Sequence, residues 1–399
     1  MQCQSVFTHI TDEYLAVERL RSELRQEHLS YIICYYTEEY DFRAIRSAFL
    51  RYFPGVPFHG SSSCQAIMTD QGFHVGPVIA AMAIYDSGPH AYGTGISNCE
   101  ENECVSVALD MALQNANRIG EVPNLILLHA TPGKEEKIIE SIDERFGTLV
   151  PIIGGSAADN HIEGKWSVIT AQGHEKQGIS LTLFYSSNPV DIAFSAGHTP
   201  TNIKGIVSKA KGRCLLEIDG ESALDTYRKW TRHQENLTSK ENLTSKENLL
   251  FTNSSAYPLG RVAGHLYDRP YYKLSHPIRE TEDGGIELFT QISVGEELTL
   301  MKGSREHLIA RAAKVVNAAF NQKLEESRKI GVINIFCAGP MLHLMQDMNS
   351  VCEQINQELE HLPFICPFTF GEQGRFIGGE NGHGNLMISS AIFHKPYER

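Results

Sequence analysis

The residues of this chain best placed to do chemistry sit in a phrase that it repeats. Pro151-Ile152-Ile153-Gly154-Gly155-Ser156 continues through Ala157, Ala158 and Asp159. Pro57-Phe58-His59-Gly60-Ser61-Ser62-Ser63 comes before it, and Pro367-Phe368-Thr369-Phe370-Gly371-Glu372-Gln373-Gly374 after it. Each copy joins proline and mostly apolar residues to glycine and small or polar side chains, the signature of a short buried strand stopping in a turn. Ser62, Asp159 and Glu372 mark the polar ends. If the phrases meet, Asp159 and Glu372 form a carboxylate pair; the alternative use of either is turn capping. The same three side chains would serve as contacts for a small polar metabolite such as an amino acid.

Other constellations are excluded by spacing. Gly60-Ser61-Ser62-Ser63 lacks the following glycine of a nucleophile elbow. Gly371-Glu372-Gln373-Gly374 lacks the Lys-Ser/Thr ending of a phosphate loop, and no HExxH pair occurs. Among 17 histidines, His276 follows Tyr271-Tyr272-Lys273-Leu274-Ser275 and precedes Pro277, which fixes the backbone beside it. His265 lies in Ala263-Gly264-His265-Leu266-Tyr267, His383 in a Gly-rich tail, and His129 and His198 follow apolar strands. Cys366 and Cys214 are candidate thiolates but read as buried structural thiols.

The elements that must position these groups are also repeated. Tyr31–Tyr36, then a helix over Phe42–Tyr52, leads into the first phrase. Leu125–Leu128 and a helix over Glu135–Phe146 lead into the second. Val332–Phe336 and a helix near Met341–Leu362 lead into the third. Strand, helix, strand with short joints predicts parallel βαβ crossovers, whose Gly-rich ends lie beyond strand carboxyl ends, where α/β sheets bind ligands. Around them, an opening helix is expected over Asp12–Leu29 and another over Glu103–Ile119. Strands over Val78–Tyr85 and up to Ser97 should be joined by Asp86-Ser87-Gly88-Pro89. Trp166–Thr170 and Ile179–Tyr185 read as consecutive antiparallel strands, and Asp219-Gly220 as a turn before a helix over Ser222–Trp230. Strands follow at Tyr271–Leu274, Ile286–Phe289 and Glu297–Leu300, then a helix over Arg305–Glu326 and a last strand, Leu386–Phe393.

Between them, Glu235-Asn236-Leu237-Thr238-Ser239-Lys240 repeats at once as residues 241–246 and begins a third time. This polar low-complexity stretch, residues 235–250, reads as an insertion near a domain boundary. The fold class is therefore α/β with mixed sheets on repeated strand-helix-strand units, divided into residues 1–230 and 231–399.

A chain of 399 residues with 42% hydrophobic and 21% charged residues has the composition of a globular protein with ample core. A net charge of −13 argues against nucleic acid as the main partner. No apolar run is long enough to span a membrane, and no signal peptide is evident, so a cytoplasmic location is expected. The nine scattered cysteines fit a reducing compartment; Cys99 and Cys104, the only close pair, read as structural or incidental.

Taken in order, these segments resemble the FIST family, bacterial sensory proteins with an N-terminal and a C-terminal FIST domain. The resemblance runs through Gly60–Cys64, Gly154–Asp159, Leu216–Gly220 with Ala223–Tyr227, and Tyr257–Gly260. It continues through Ser275-His276-Pro277, Cys337-Ala338-Gly339 with Met341-Leu342, and Gly371–Gly374. Ser275-His276-Pro277, Glu287-Leu288-Phe289, Gly295-Glu296-Glu297, Leu300-Met301 and Cys337-Ala338-Gly339 are most similar to the branch that binds haem and senses nitric oxide. Pro340 and residues 235–250 depart from that branch. The resemblance implies a cytoplasmic, non-enzymatic receptor holding haem b in its C-terminal half. His276 would be the axial ligand, with His265 and His383 as alternates. The implied partner is a histidine kinase or a cyclic-di-GMP enzyme (diguanylate cyclase or phosphodiesterase), and a homodimer is left open.

Overall fold

The computed structural model describes residues 1–88, 90–99, 103–235, 254–320 and 327–396. The repeat at 235–250, apart from its first residue, and the expected helix end at 321–326 lie outside the described residues. The chain forms three copies of one unit: strand, helix, strand, helix, strand, hairpin, strand. The first runs from strand Gln2–Thr8 to strand Ile79–Tyr85, and the second from Tyr92–Asn98 to Gly178–Phe184. The third runs from Val190–Ala196 to Met387–Pro396 and carries an inserted sheet between its first strand and its first helix.

The three expected crossovers are present and parallel. Leu29–Thr37 pairs with Phe58–Ser63, Leu125–Ala130 with Ile152–Gly155, and Ser327–Cys337 with Phe364–Thr369. Their helices start where the sequence provides a cap or a charge. Asp41 accepts a hydrogen bond from the Arg43 amide at 2.9 Å and opens helix Phe42–Tyr52. Helix Glu135–Phe146 begins with two glutamates against its dipole and ends at Gly147, whose φ of 79° the glycine tolerates. The third crossover helix is broken into Ala338–His343, a 3-10 turn Met345–Asp347, and Met348–Leu359, because Leu344 leaves helical geometry.

Each unit makes a four-stranded sheet and then borrows a hairpin. The hairpin Ala66–Thr69/Gly72–Val75 of the first unit extends the third unit's sheet on strand Phe364–Thr369. The second unit's hairpin, Val168–Thr170/His174–Glu175, extends the first sheet on Phe58–Ser63. The third unit's hairpin, Glu372–Arg375/Asn381–Gly384, extends the second sheet on Ile152–Gly155. The exchange closes in a ring, and it crosses the expected boundary at residue 230.

Inward faces of the three sheets meet in one core of Tyr31, Ile33, Leu127, Ile153, Ile333 and Ile365. The outward faces are covered by each unit's own helices, for instance Ile45 and Phe49 on the first sheet and Ile138 and Ile142 on the second. Burying each such side chain contributes about 1.5–3 kcal/mol, in the central core and under the helices alike.

Several expectations are corrected. The opening helix is Glu13–Glu23, because Leu24 turns extended, and strand Gln2–Thr8 precedes it. Ile79–Tyr85 and Tyr92–Asn98 do not pair with each other; they belong to the first and second sheets. Val168–Thr170 and Gly178–Phe184 are likewise in different sheets, since the first is part of an exchanged hairpin. Cys99 and Cys104 form a disulfide.

The inserted sheet holds Thr199–Lys211, Cys214–Ile218, Leu259–Leu266, Arg269–Ser275, Pro277–Glu280, Ile286–Leu288 and Glu297–Lys302, with the short strand Glu221–Ser222 at its side. Helix Ala223–Glu235 packs on it through Ala223, Leu224 and Tyr227. Among the described residues, no helix is long and apolar enough to cross a membrane.

Candidate functional site

The phrase ends do meet. The Cys64 amide donates to the Phe368 carbonyl at 2.9 Å, the Ala158 amide to the Ser62 carbonyl at 3.1 Å, and the Ser156 amide to the Gly371 carbonyl at 2.8 Å. The junction is a buried knot of backbone hydrogen bonds. Ser62 Oγ accepts from the Ser167 amide at 3.0 Å. The Asp159 carboxylate accepts from the amides of Ile162, Glu163 and Lys165 at 2.5, 2.9 and 2.8 Å, which is turn capping. Glu372 accepts from Thr369 Oγ1 at 2.9 Å and from the Met387 amide at 3.0 Å. Burial pushes its carboxyl up to about 8, with these hydrogen bonds holding it from going further. All three side chains are therefore engaged inside the fold.

One polar chain leaves the knot. Gln373 Nε2 donates to Ser156 Oγ at 3.2 Å, and Ser156 Oγ donates to Glu135 Oε1 at 2.8 Å. Glu135, fully buried, pairs with Arg213 at 2.5 Å, and Arg213 also reaches Glu136 at 2.9 Å. Arg213 lies in the turn between Thr199–Lys211 and Cys214–Ile218, so this latch ties the inserted sheet to the second unit. Burial works to lower the Arg213 guanidinium, and the two carboxylates outweigh it.

Above the latch lies a cleft of about 710 Å³ between helix Glu135–Phe146, the inserted sheet and the Glu372–Gly384 hairpin. Its inserted-sheet wall carries Arg261 and Lys273, and its hairpin wall carries His383. Arg261 is only 5% exposed; its Nη1 donates to the Gln291 carbonyl at 2.6 Å and pairs with Glu296 at 3.1 Å. Burial, and then the neighbouring Arg261, pull the Lys273 ammonium down. His383 is 4% exposed, and neither ring nitrogen has a partner among the described residues. The helix contributes Glu136, Glu140, Asp143 and Glu144, spaced i, i+4, i+7 and i+8 on one face. Asp143 accepts from Asn381 Nδ2 at 2.7 Å, and Glu380 accepts from Tyr271 OH at 2.7 Å. Burial works to raise Glu136, but His383 and Arg213 beside it hold it below the usual carboxylate range.

The histidines expected to ligate separate clearly. His265 is exposed on strand Leu259–Leu266. His276 is 1% exposed, and its ring lies 5.7 Å from that of Phe289. Its amide donates to Asn385 Oδ1 at 3.1 Å, and its carbonyl accepts from the Phe289 amide at 3.2 Å. Ser255 Oγ lies 3.4 Å from Nε2, and a Cβ on Gly339 would stand 3.1 Å from Cε1. Leu386 packs with Leu274, Met301 and Cys337. His129 bonds Tyr35 OH at 2.9 Å and the Gly155 carbonyl at 2.7 Å, and His198 bonds the Ser255 carbonyl at 2.7 Å. Burial pulls both down to about 4. Cys366 is buried and its thiol is pushed up by burial, as befits a structural residue, whereas Cys214 is half-buried. Among the described residues, no group of three or more His, Cys, Asp or Glu could hold a metal ion.

Lys273, Arg261 and the helix carboxylates were not singled out from the sequence. The acidic spacing of Glu136, Glu140, Asp143 and Glu144 was readable there, but it also describes any solvated helix face.

A threefold strand-helix scaffold carrying one inserted sheet, with a polar cleft where the two meet, defines the chain as an α/β protein with mixed sheets. Residues 30–221 match the FIST N domain and residues 223–375 the FIST C domain, and the chain belongs to the FIST family. FIST domains are signalling sensor domains. No curated protein matches the chain. A solved structure titled "Cyanuric acid hydrolase: evolutionary innovation by structural concatenation" is similar along its length. It is 10% identical, covers 99% of this chain and 100% of its own, and aligns with a TM-score of 0.32, too low to carry any argument about function.

Proposed function

We propose that this chain is a cytoplasmic sensor of nitric oxide that binds haem b through His276 and regulates a partner histidine kinase or cyclic-di-GMP enzyme. The observation that supports it is the placement of His276: an imidazole buried against Phe289 and next to the Leu274, Met301, Cys337 and Leu386 cluster. A single imidazole beside an apolar wall is the donor set that suits a haem. His276 is 1% exposed, so a porphyrin requires the residues around its ring to yield. Bound haem would supply an iron whose open position takes the gas.

The chain's own contribution is to hold the imidazole firmly. Its amide is fixed by Asn385 and its carbonyl by the Phe289 amide, and Pro277 restricts the backbone that follows. A force on the ring would therefore pass into Phe289 and into Asn385, which directly follows strand Asn381–Gly384. Of the alternates, His383 is buried but faces a strongly acidic cleft, and His265 is exposed. The other reading, a metabolite site built on Ser62, Asp159 and Glu372, would have to break hydrogen bonds that these side chains already make.

The test is the visible spectrum of protein expressed with haem precursor, reduced, with and without nitric oxide. A Soret band that shifts with the gas and is lost in His276→Ala supports the assignment. A band kept in His276→Ala and lost in His383→Ala moves the ligand. Protein that never takes up haem overturns the proposal.

A further inference from the structure

We propose that Cys99 and Cys104 are a reversible thiol–disulfide site, closed by a small disulfide of the glutathione class, whose state sets how firmly the inserted sheet is held to the second unit. The inference does not rest on haem binding. The pair sits at a joint. Cys99 directly follows strand Tyr92–Asn98, Cys104 opens helix Cys104–Asn115, and the two are bonded. No side chain caps that helix, so the disulfide is what ties its start to the strand. At the far end Asn115 Nδ2 donates to the Thr94 carbonyl at 2.7 Å. Between the two ties the helix lies directly on the strand, where a Cβ on Gly95 would run into the Ala108 carbonyl. Opening the disulfide leaves the helix pinned at one end.

The joint reaches the latch through Cys99. Its amide donates to the Gln177 carbonyl at 2.9 Å, and its carbonyl accepts from the Lys134 ammonium. Lys134 directly precedes helix Glu135–Phe146, whose start also lacks a capping side chain. The next residue, Glu135, holds Ser156 Oγ and Arg213. Two uncapped helix starts are therefore joined at Cys99, and the second carries the ion pairs to the inserted sheet. Closing the disulfide stiffens the carbonyl on which Lys134 rests, and reduction loosens it.

The chemistry follows from position. A thiol in the first turn of a helix faces the positive end of its dipole, which favours the thiolate. Cys104 is therefore the attacking sulfur. Its thiolate displaces one glutathione thiolate from glutathione disulfide and forms a mixed disulfide. The Cys99 thiolate then attacks Cys104 Sγ and expels the second. Two electrons pass from the pair to glutathione disulfide, and the two thiol protons end on two molecules of glutathione. Each cysteine is 7% exposed, next to the exposed Glu103, so access needs only the uncapped first turn to fray. Burial pushes the thiols of Cys34, Cys64, Cys337, Cys352 and Cys366 up, which leaves them poor nucleophiles.

For the test, the full chain is equilibrated in glutathione buffers of graded ratio at pH 7, quenched in acid, unfolded, labelled with maleimide and weighed. Seven labels are expected in the oxidised protein, one for each free cysteine, and nine in the reduced protein. Hydrogen exchange on the same samples reads the coupling. The Val107 and Ile138 amides close the first turns of the two helices, on the Glu103 and Lys134 carbonyls at 3.1 and 3.0 Å. The Gln291 amide donates to Glu136 Oε1 at 2.9 Å, across the joint with the inserted sheet. On reduction all three should exchange about tenfold faster. Cys104→Ser should reproduce the reduced rates. Lys134→Met, at an exposed position, should speed Ile138 and Gln291 in the oxidised protein and leave Val107 unchanged. Seven labels in every buffer, nine in every buffer, or a redox step that leaves either the Ile138 or the Gln291 amide unchanged overturns the proposal.

Discussion

Replacing Arg213 with methionine tests whether the latch holds the inserted sheet to the second unit. Arg213 bridges Glu135, which is fully buried, and Glu136, which is partly so. Removing one partner of a buried pair costs about 3–5 kcal/mol, because the remaining charge stays desolvated. Two features place this case at the low end. The Arg213 side chain keeps 18% exposure, and Glu135 still accepts from Ser156 Oγ and from the Gly133 amide. The expected loss for Arg213→Met is therefore about 3 kcal/mol. Adding Glu135→Gln removes the stranded charge and keeps the acceptor for Ser156, so the double variant should regain about 2 kcal/mol. Recovery stays incomplete because one side of the amide then turns an N–H toward the Gly133 amide. Urea unfolding at pH 7, followed by far-UV circular dichroism with matched slopes, measures each step. A loss below about 1 kcal/mol in Arg213→Met, or a double variant no more stable than the single, would refute the reasoning.

Two further outcomes follow from the interior. The Glu372 carboxyl, raised by burial to about 8 from an ordinary 4.5, stabilises the fold fully below pH 4.5 and loses that contribution as pH rises through 8. Glu372→Gln should therefore gain on the wild type between pH 5 and pH 9, by on the order of 3 to 4 kcal/mol at about 1.4 kcal/mol per pH unit. Parallel stability curves for the two proteins would contradict it. Gly155→Ala places a Cβ 2.5 Å from Thr369 Oγ1 and 2.7 Å from Ile335 Cγ2, so it should destabilise by about 1–3 kcal/mol of overpacking, read from the urea midpoint.

The crossovers were legible because each is local. Apolar runs such as Leu125–Leu128 are strands buried on both faces, and helix Glu135–Phe146 shows its amphipathic face within a dozen residues. Helices Phe42–Tyr52 and Glu135–Phe146 both have the bounds read from the sequence. Pairing between distant segments was not legible. Nothing near Ala66–Val75 says that its partner is Phe364–Thr369, and nothing near Ile79–Tyr85 says that Tyr92–Asn98 will leave for another sheet. The chemistry divides in the same way. Asp159 as a turn cap was foreseen, since its partners lie within six residues. The cleft was not, because Lys273, His383 and Glu140 come from three separate elements and meet only after the hairpin exchange is complete.

That exchange has a consequence in time. Hairpin Ala66–Val75 waits for strand Phe364–Thr369, roughly 300 residues further along the chain, which is about 15–60 s of synthesis at ~5–20 residues per second. During that interval its outer edge is unpaired, and strand Val190–Ala196 also lacks Met387–Pro396. A cut between the two family segments, near residue 222, would make both vacancies permanent and would strip Ile152–Gly155 of its hairpin neighbour. The two named domains are thus stretches of sequence that share their sheets, and the nascent first half carries open β-edges until the last strands are made.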